Sequence, residues 1–430
     1  MRWFANIVTV DSCRGQRVAR SFGCGAALFG ALVGLLQSAA LAQPAIPVRP
    51  STVRTTPIGF PQDAGPHDMS VIEWWYFNSF FTTASGKHYS VVGSFFRTGL
   101  TPTKKGHYLI YSLTDLAAKK SAAYSVMDKG SIALLKAYTS LAAMQNPDDT
   151  RAMNFLAQLQ RNELPKPHRV LPVAAKLTTK PLFALAMGEN RIVQATADGR
   201  TWKATLKGDD FTVDLTLTQP TRPAMLVGGK GKTGVTKPDD MYYLTLSRME
   251  ARGTLARSGG TKEPFTGAGW LDRQWGQTWG VNPNVGWDWF GLRLDDGSDM
   301  IVYRLRDTRS GKTIQAEATI VDKAGKQTVD KAAVVTPTTD TSRTATDPLS
   351  GVTYPTAFTI RLPSLGRTFA ITADFNDQVI PVLTPGGASI WEGVVSVTTD
   401  GTSESPRIGQ GYMELVGYKP TVINAAPVGK

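Results

Sequence analysis

From Glu73 onward the chain reads as strands. The stretch EWWYFNSFF carries bulky apolar side chains at almost every position. Neighbours in a strand point to opposite faces, so Glu73, Trp75 and Phe77 face one way and Trp74, Tyr76 and Asn78 the other. Neither face is plainly a solvent face. Ala84-Ser85-Gly86-Lys87 marks a tight turn, and HYSVVGSFFR returns as the second strand of a hairpin.

Between about 113 and 165 the pattern changes. The segment SIALLKAYTSLAAMQNPDDTRAMNFLAQLQ is rich in Ala, Leu, Met and Gln, and Ile132, Leu135, Tyr138 and Leu141 recur at helical spacing. Asn146-Pro147-Asp148-Asp149 breaks that spacing and suits the cap of a second helix. A helical hairpin inserted at about 120–165 is expected. Alternating strands resume from 170, in RIVQATADGRTWKATLKGDDFTVDLTLTQ and YYLTLSRMEARGTLA, punctuated by Asp-Gly and Gly-Asp turns.

A second opening follows. Gly286-Trp287-Asp288-Trp289-Phe290 leads to the turn Asp295-Asp296-Gly297 and then to MIVYRLR. Like the first opening, it is an aromatic strand with an acid, a Gly turn and a return strand with Arg. This weak internal duplication places a boundary near 276–285. An all-β chain of two packed antiparallel β-barrel or sandwich domains is expected, over about 67–280 and 281–430, with a Pro-rich lead-in at 43–66.

The N-terminus adds a destination. Arg14, Arg17 and Arg20 precede the apolar run FGCGAALFGALVGLLQSAALA, and Ala40-Leu41-Ala42 fits a cleavage site. Residues 1–42 therefore read as a secretory signal, with the mature chain starting at Gln43 in the periplasm or outside the cell. A membrane anchor is the competing reading, but the run is short for a span of ~20 residues. Both cysteines, Cys13 and Cys24, fall within that leader. The mature protein then has no disulfide, thiol nucleophile or cysteine zinc site. The net charge is +12. Removing Arg2, Arg14, Arg17 and Arg20 with Asp11 leaves about +9. There is no dense Lys/Arg run, so nucleic acid is not an expected partner. Weak attraction to an anionic envelope surface or a membrane transporter is compatible with this charge.

Several catalytic motifs are excluded. Gly228-Gly229-Lys230-Gly231-Lys232-Thr233 lacks the first glycine of a phosphate loop, because Leu226 stands there. No G-x-S-x-G elbow and no H-E-x-x-H helix occurs. The histidines are His67, His88, His107 and His168. His67, Asp68 and Glu73 form a weak metal set, and no metal or cofactor is expected.

Six segments together resemble one family. They are His67 with Glu73-Trp74-Trp75-Tyr76, Phe95-Phe96-Arg97, the run GAGWLDRQWG at 267–276, Gly286 to Phe290, Trp391-Glu392-Gly393, and GYMELVGY at 411–418. The chain resembles the AttH / carotenoid 1,2-hydratase (hydroxyneurosporene synthase) family of secreted lipocalin-like proteins. The resemblance implies two packed lipocalin-like (calycin) barrels, and hydratase-like chemistry or the carriage of an apolar ligand. Two departures stand out. The helical hairpin is extra and suits a cover for a barrel mouth. Gln274 stands where many relatives carry Glu, which removes a carboxylate. The strand EWWYF is then expected to pack one face on the neighbouring domain and to line a pocket with the inner one.

Adding water to an isolated alkene needs a strong proton donor, stabilisation of the cation and water to trap it. A carboxylic acid kept protonated by an apolar site meets the first need, and aromatic faces meet the second. Asp272, between Trp270 and Trp275, is the first candidate acid; Glu73 is the second, with His67 as relay. Trp74, Tyr76, Trp275 and Trp287 are candidate ligand-binding rings, and Arg97 a candidate clamp. Each has a plainer alternative: Asp272 paired with Arg273, Glu73 paired with Arg97, and tryptophans in the core. Asp288, Glu392 and Glu414 are expected to make structural hydrogen bonds. An enzyme requires a carboxyl group with a raised pKa in an apolar pocket; a carrier of lipid or polyene leaves every carboxylate paired or solvated. A secreted hydrolase is a lesser alternative.

Overall fold

The computed structural model describes residues 56–99, 101–145, 150–219, 221–233, 241–277, 285–384, 387–399 and 405–418. The expected leader, most of the Pro-rich lead-in, the Asn146–Asp149 break and the connection at 278–284 lie outside the described residues.

The fold is all-β with a helical insertion. Its first sheet opens with a meander of Ile72–Thr83 (β1), His88–Thr98 (β2), Gly106–Asp115 (β3) and Lys120–Met127 (β4). Two helices follow, Lys129–Gln145 (α1) and Thr150–Gln160 (α2). Ala184–Met187 (β5), Asn190–Gln194 (β6), Thr201–Lys207 (β7), Phe211–Thr218 (β8), Met241–Arg257 (β9) and Glu263–Gly276 (β10) complete the principal strands. Their order is β4-β3-β2-β1-β10-β9-β8-β7-β6-β5, with shorter strands at the margins.

The second sheet contains Val285–Leu294 (β11), Asp299–Asp307 (β12), Thr313–Val321 (β13), Gln327–Asp330 (β14), Val334–Pro337 (β15), Ala357–Leu362 (β16), Arg367–Ala373 (β17), Val379–Thr384 (β18), Gly387–Thr399 (β19) and Arg407–Val416 (β20). Its order is β14-β13-β12-β11-β20-β19-β17-β16-β15, with β18 on β19. The arrangement β2-β1-β10 in the first sheet thus recurs as β12-β11-β20 in the second.

Each sheet curls around its own core. Trp75, Phe77 and Phe81 of β1 point inward with Val91, Phe95, Leu109, Trp202 and Leu271. Trp75 is fully buried, stacks on Phe183 at 4.5 Å and donates its indole N–H to the Ala64 carbonyl at 2.8 Å. Truncating such a ring to Ala costs roughly 3–5 kcal/mol. The second sheet closes over Phe290, Leu292, Val302, Trp391 and Leu415. A third apolar layer lies between the sheets. Tyr76, Phe80, Trp270 and Tyr243 from the first meet Trp289, Ile301, Tyr303, Val394 and Tyr412 from the second. The alternation of EWWYF is therefore resolved as expected on its outer face, while its inner face is core in place of a pocket lining. Its inner face fills the curled sheet solidly, and its outer face meets the second sheet.

The helical insertion is shorter than expected. Residues 120–127 are strand, and Tyr124 and Val126 alternate into the first core despite the Ala-rich composition. Asp128 then caps α1, its Oδ1 accepting from the Ser131 N–H at 2.8 Å. The hairpin flanks β3 and β4, with Ile132 joining the layer between the sheets. Among the described residues it lies beside the sheet and does not cover a barrel mouth.

Candidate functional site

The layer between the sheets holds a pocket. It is lined by Trp74, Tyr76, Tyr243, Asp272, Gln274, Trp287, Trp289, Tyr303 and Glu414. The even-numbered face of β1 and β10 supplies one wall, because Trp74 pairs with Gln274 and Tyr76 with Asp272 in register. Trp287, Trp289 and Glu414 come from β11 and β20, where Trp289 pairs with Glu414. With these side chains as they stand, about 30 Å³ is open to the centre of a water molecule. That is room for one or two waters. Trp74 and Trp287 are the half-exposed indoles of the lining.

Asp272 is held by three donors. Its Oδ2 accepts from the Tyr243 hydroxyl at 2.6 Å. Its Oδ1 accepts from Thr245 Oγ1 at 2.5 Å and Trp270 Nε1 at 2.7 Å. Trp289 Nε1 donates to Tyr243 Oη at 2.8 Å and so orients that phenol toward Asp272. Burial pushes the Asp272 carboxyl up to about 7; the three donors oppose this, and the charge of Glu414 adds to it. The adjacent Arg273 does not pair with it, because Arg273 points to the other face of β10.

Two further acids stand opposite. Glu414 accepts from Trp287 Nε1 at 2.6 Å and is only half-buried, since it faces the pocket. Glu392 lies behind it and accepts from the Tyr76 hydroxyl at 2.9 Å. The two carboxyl groups hydrogen-bond each other. Two carboxyls can do so only by sharing a proton. Burial raises both pKa values, and for Glu392 the charge of Glu414 adds to the effect. The phenols of Tyr76 and Tyr243 are pushed up by burial and by their acidic neighbours, so both remain donors. Among the described residues no Lys, Arg or His pairs with Asp272, Glu392 or Glu414. The buried Asp272 and Glu392 and the half-buried Glu414 therefore lack the cation that would keep them ionised.

The other sequence candidates form a separate cluster. Glu73 sits on the inner face of β1. It accepts from Arg97 Nη1 at 2.7 Å, from Arg273 Nη2 and from the His67 backbone N–H at 2.9 Å. Burial alone would raise its pKa, but Arg273 and His67 hold it down at about 2. A carboxylate so fixed is no proton donor near neutral pH. Arg97 also pairs with Asp68 at 2.6 Å, so it bridges two acids and lies outside the pocket. His67 stacks on Trp275 with ring centroids 4.1 Å apart and its Nε2 lies 3.1 Å from Asp63. The structure thus brings Asp272, Trp74, Tyr76 and Trp287 together and places Glu73, His67, Arg97 and Trp275 elsewhere. Asp288 makes structural hydrogen bonds, as expected, taking Arg304, Arg306 and the Tyr418 hydroxyl.

Tyr243, Trp289, Tyr303 and the two glutamates were not among the candidates. A usable signal exists for Glu414: one charged residue inside the otherwise apolar strand YMELV, on the face shared with Tyr412 and Val416. Nothing comparable marks Tyr243, since a tyrosine in a strand is ordinary.

A family model described as AttH-like matches residues 51–418. The crystal structure of an AttH candidate from Nitrosomonas europaea superposes with a TM-score of 0.63 at 26% identity, covering 85% of this chain and 98% of that one. Kievitone hydratase from Nectria haematococca superposes with a TM-score of 0.59 at 18% identity, covering 84% of this chain and 93% of that one, which speaks for the fold. Among curated protein sequences none matches at a significant level. With a family model spanning most of its length and the paired curled sheets that the resemblance implies, the chain belongs to the AttH-like family.

Proposed function

We propose that the pocket between the sheets performs cofactor-independent acid–base chemistry, adding water to or removing it from an alkene-bearing apolar ligand. The observation that carries this reading is the set of three acids with raised pKa values, Asp272 and Glu414 facing an aromatic pocket and Glu392 behind Glu414, with no cation paired to them among the described residues. A carrier would not need them, and burying unpaired carboxyls costs stability. The hydratase name of one structural neighbour agrees with this chemistry.

The roles follow from the hydrogen bonds. A carboxyl near pH 7 is about half protonated when its pKa is about 7, so Asp272 has a proton to give. Thr245, Tyr243 and Trp270 are already aimed at the charge that appears when it does. The proton forms a C–H bond at one alkene carbon and leaves a cation at the other. Trp74, Trp287, Trp289 and Tyr76 offer aromatic faces to that cation. Water adds to it and passes its proton to Glu414, whose partner Glu392 shares the load. Gln274, with an amide nitrogen that lacks a partner among the described residues, stands beside this wall. The small free volume means that a ligand enters by displacing Trp74 or Trp287.

The test uses the purified chain with a panel of small isoprenoid alkenes and their tertiary alcohols, with ¹⁸O-water incorporation read by mass spectrometry. Asp272→Asn and Glu414→Gln are each expected to lower turnover by about 10²-fold or more while ligand binding persists. Binding without turnover by the wild type, unaltered in both variants, would leave the carrier reading instead.

A further inference from the structure

The layer between the sheets ends in a second polar cluster of opposite sign. Arg293 lies four residues along β11 from Trp289 on the same face, about 13 Å away at ~3.4 Å per residue. Its register partner is Asp299 of β12. Asp299 is fully buried and already saturated. It accepts from Arg222 Nη1, from Ser247 Oγ at 2.9 Å and from Arg248 Nε at 3.0 Å. Arg222 gives its Nη2 to the carbonyls of Gly297 and Asp322, and Arg248 gives its Nη2 to those of Leu294 and Ser298. Arg293 has no such outlet. Its Nη1 is buried and has no hydrogen-bond partner among the described residues. Two guanidinium groups therefore share this carboxylate, and a third stands beside them with no ion pair of its own among the described residues.

This arrangement is costly unless something else pairs with it. A buried guanidinium must find an acceptor, and like charges repel it further. Arg293 has Arg248 and Arg222 as its opposing cations, with Asp299 as its attractive neighbour. The nearby Asp296 acts on Arg248 and pairs with the exposed Arg367 at 3.6 Å, so it does not supply the missing charge. The cluster is reachable from outside, because the side chains of Arg222 and Arg248 are 11% and 31% exposed and Arg293 is half-buried. It also spans the seam: Arg222 and Ser247–Arg248 belong to the first half of the chain and Arg293 and Asp299 to the second. Arg248 is held there at φ 53°, at the bulge between Leu246 and Met249 where β9 loses register with β10. Non-glycine residues adopt that conformation at a cost, so the bulge is a feature that packing maintains.

We infer that Arg222, Arg248 and Arg293 form an anion-binding site at the seam between the two sheets, taking the oxygens of a small oxyanion, phosphate or carboxylate. Arginine forks suit both groups, which accept paired N–H donors. Along the β11–β20 register Tyr412, packed on Phe80, stands between Arg293 and Glu414 of the acid pocket. Because the anion binds residues of both halves, its occupancy tightens the seam.

The experiment is thermal unfolding of the full mature chain, titrated with sodium phosphate and, separately, sodium acetate, each at ionic strength held constant with sodium chloride. The wild type is expected to gain melting temperature saturably with at least one of them. Arg293→Met is expected to bind at least tenfold more weakly, and to be as stable as the wild type or more so in chloride alone. Arg293→Lys, which keeps the charge but loses the fork, should fall between. Phosphate acting alone assigns the site to phosphoryl groups, and acetate acting alone assigns it to carboxylates. An equal response in wild type and Arg293→Met, or none in the wild type, would overturn the assignment.

Discussion

Asp272→Asn separates the electrostatics of the pocket from its packing, because the two make opposite demands at different pH. In the native state the Asp272 carboxyl titrates at about 7 against an ordinary value of 3.8. That gap corresponds to about 4 kcal/mol at ~1.4 kcal/mol per pH unit. The folded state holds the proton more tightly than the unfolded state, so this contribution favours folding fully below pH 3.8. It is lost as pH rises through the native value near 7. At pH 8 the wild type therefore carries nearly the whole cost of a buried charge. Asn carries none, but its Nδ2 brings two hydrogens and no lone pair, so the side it faces loses its bond: Tyr243 or Thr245 must turn its hydroxyl to accept, and Trp270, which can only donate, is left without an acceptor. One such donor–donor conflict costs roughly 1–3 kcal/mol. The variant is thus expected to be less stable than the wild type near pH 4.5 and more stable at pH 8, by about 1–3 kcal/mol in each case. Urea unfolding followed by tryptophan fluorescence at the two pH values measures both differences. A stability difference that does not change between pH 4.5 and 8 would show that Asp272 ionises as freely in the fold as in water, and the assignment of Asp272 as proton donor would fall with it.

The cluster around Glu73 responds in the opposite sense. Its carboxyl is held at about 2 against 4.5, so the stability it contributes is present above pH 4.5 and is lost as pH falls toward 2. Glu73→Gln strands Arg97 and Arg273 and is expected to cost roughly 3–5 kcal/mol at pH 7 in the same urea assay, while the folded fraction still binds pocket ligands; loss of binding in the folded fraction would place Glu73 in the site. Gly291→Ala tests how Trp289 is aimed: a Cβ at Gly291 would stand 2.4 Å from Cη2 of that indole. The ring must then move off Tyr243, so turnover should fall about tenfold or more with the loss of an oriented donor, and the basic limb of its pH profile, set by the proton donor, should shift; an unchanged profile would mean that the Trp289–Tyr243 bond has no part in tuning Asp272.

Much of this architecture was legible because it is periodic. Period-two alternation identified the strands around Trp74 and Trp287, and the duplicated openings matched the sheets that recur as β2-β1-β10 and β12-β11-β20. Asp272 was identifiable as a carboxyl amid tryptophans, and Trp270 does donate to it, but its other two donors lie on β9, 27 and 29 residues upstream. Long-range register of that kind leaves no mark in local sequence. The same limit explains Glu73. EWWYF places an acid among aromatic rings, but only the register of β1 with β2 and β10 reveals the two arginines beside it. The helical insertion was overextended because Ala-rich KSAAYSVM favours helix locally, whereas pairing along β3 makes it a strand.

The duplication also explains how the acids are divided between the two walls of the pocket. Glu73 stands opposite Arg97, as Asp288 stands opposite Arg304, so these ion pairs are equivalent anchors in the two sheets. One residue on, Trp74 pairs with Gln274 and Trp289 with Glu414. Gln274 and Glu414 therefore occupy matching positions on facing walls, one neutral and one acidic. The next pocket-facing pair is Tyr76 with Asp272 in the first sheet and Gly291 with Tyr412 in the second. Gly291 leaves space over which the Trp289 ring folds, and that ring reaches across to Tyr243. A symmetric pocket would set Glu against Glu and Asp against Asp, and mutual repulsion would force most of them to be protonated together. Here each wall keeps one carboxyl facing the cavity, Asp272 on the first and Glu414 on the second. A pair of acids on opposite walls, each with its own donors, can hold different protonation states at one pH, which is the condition for one to donate a proton while the other accepts it.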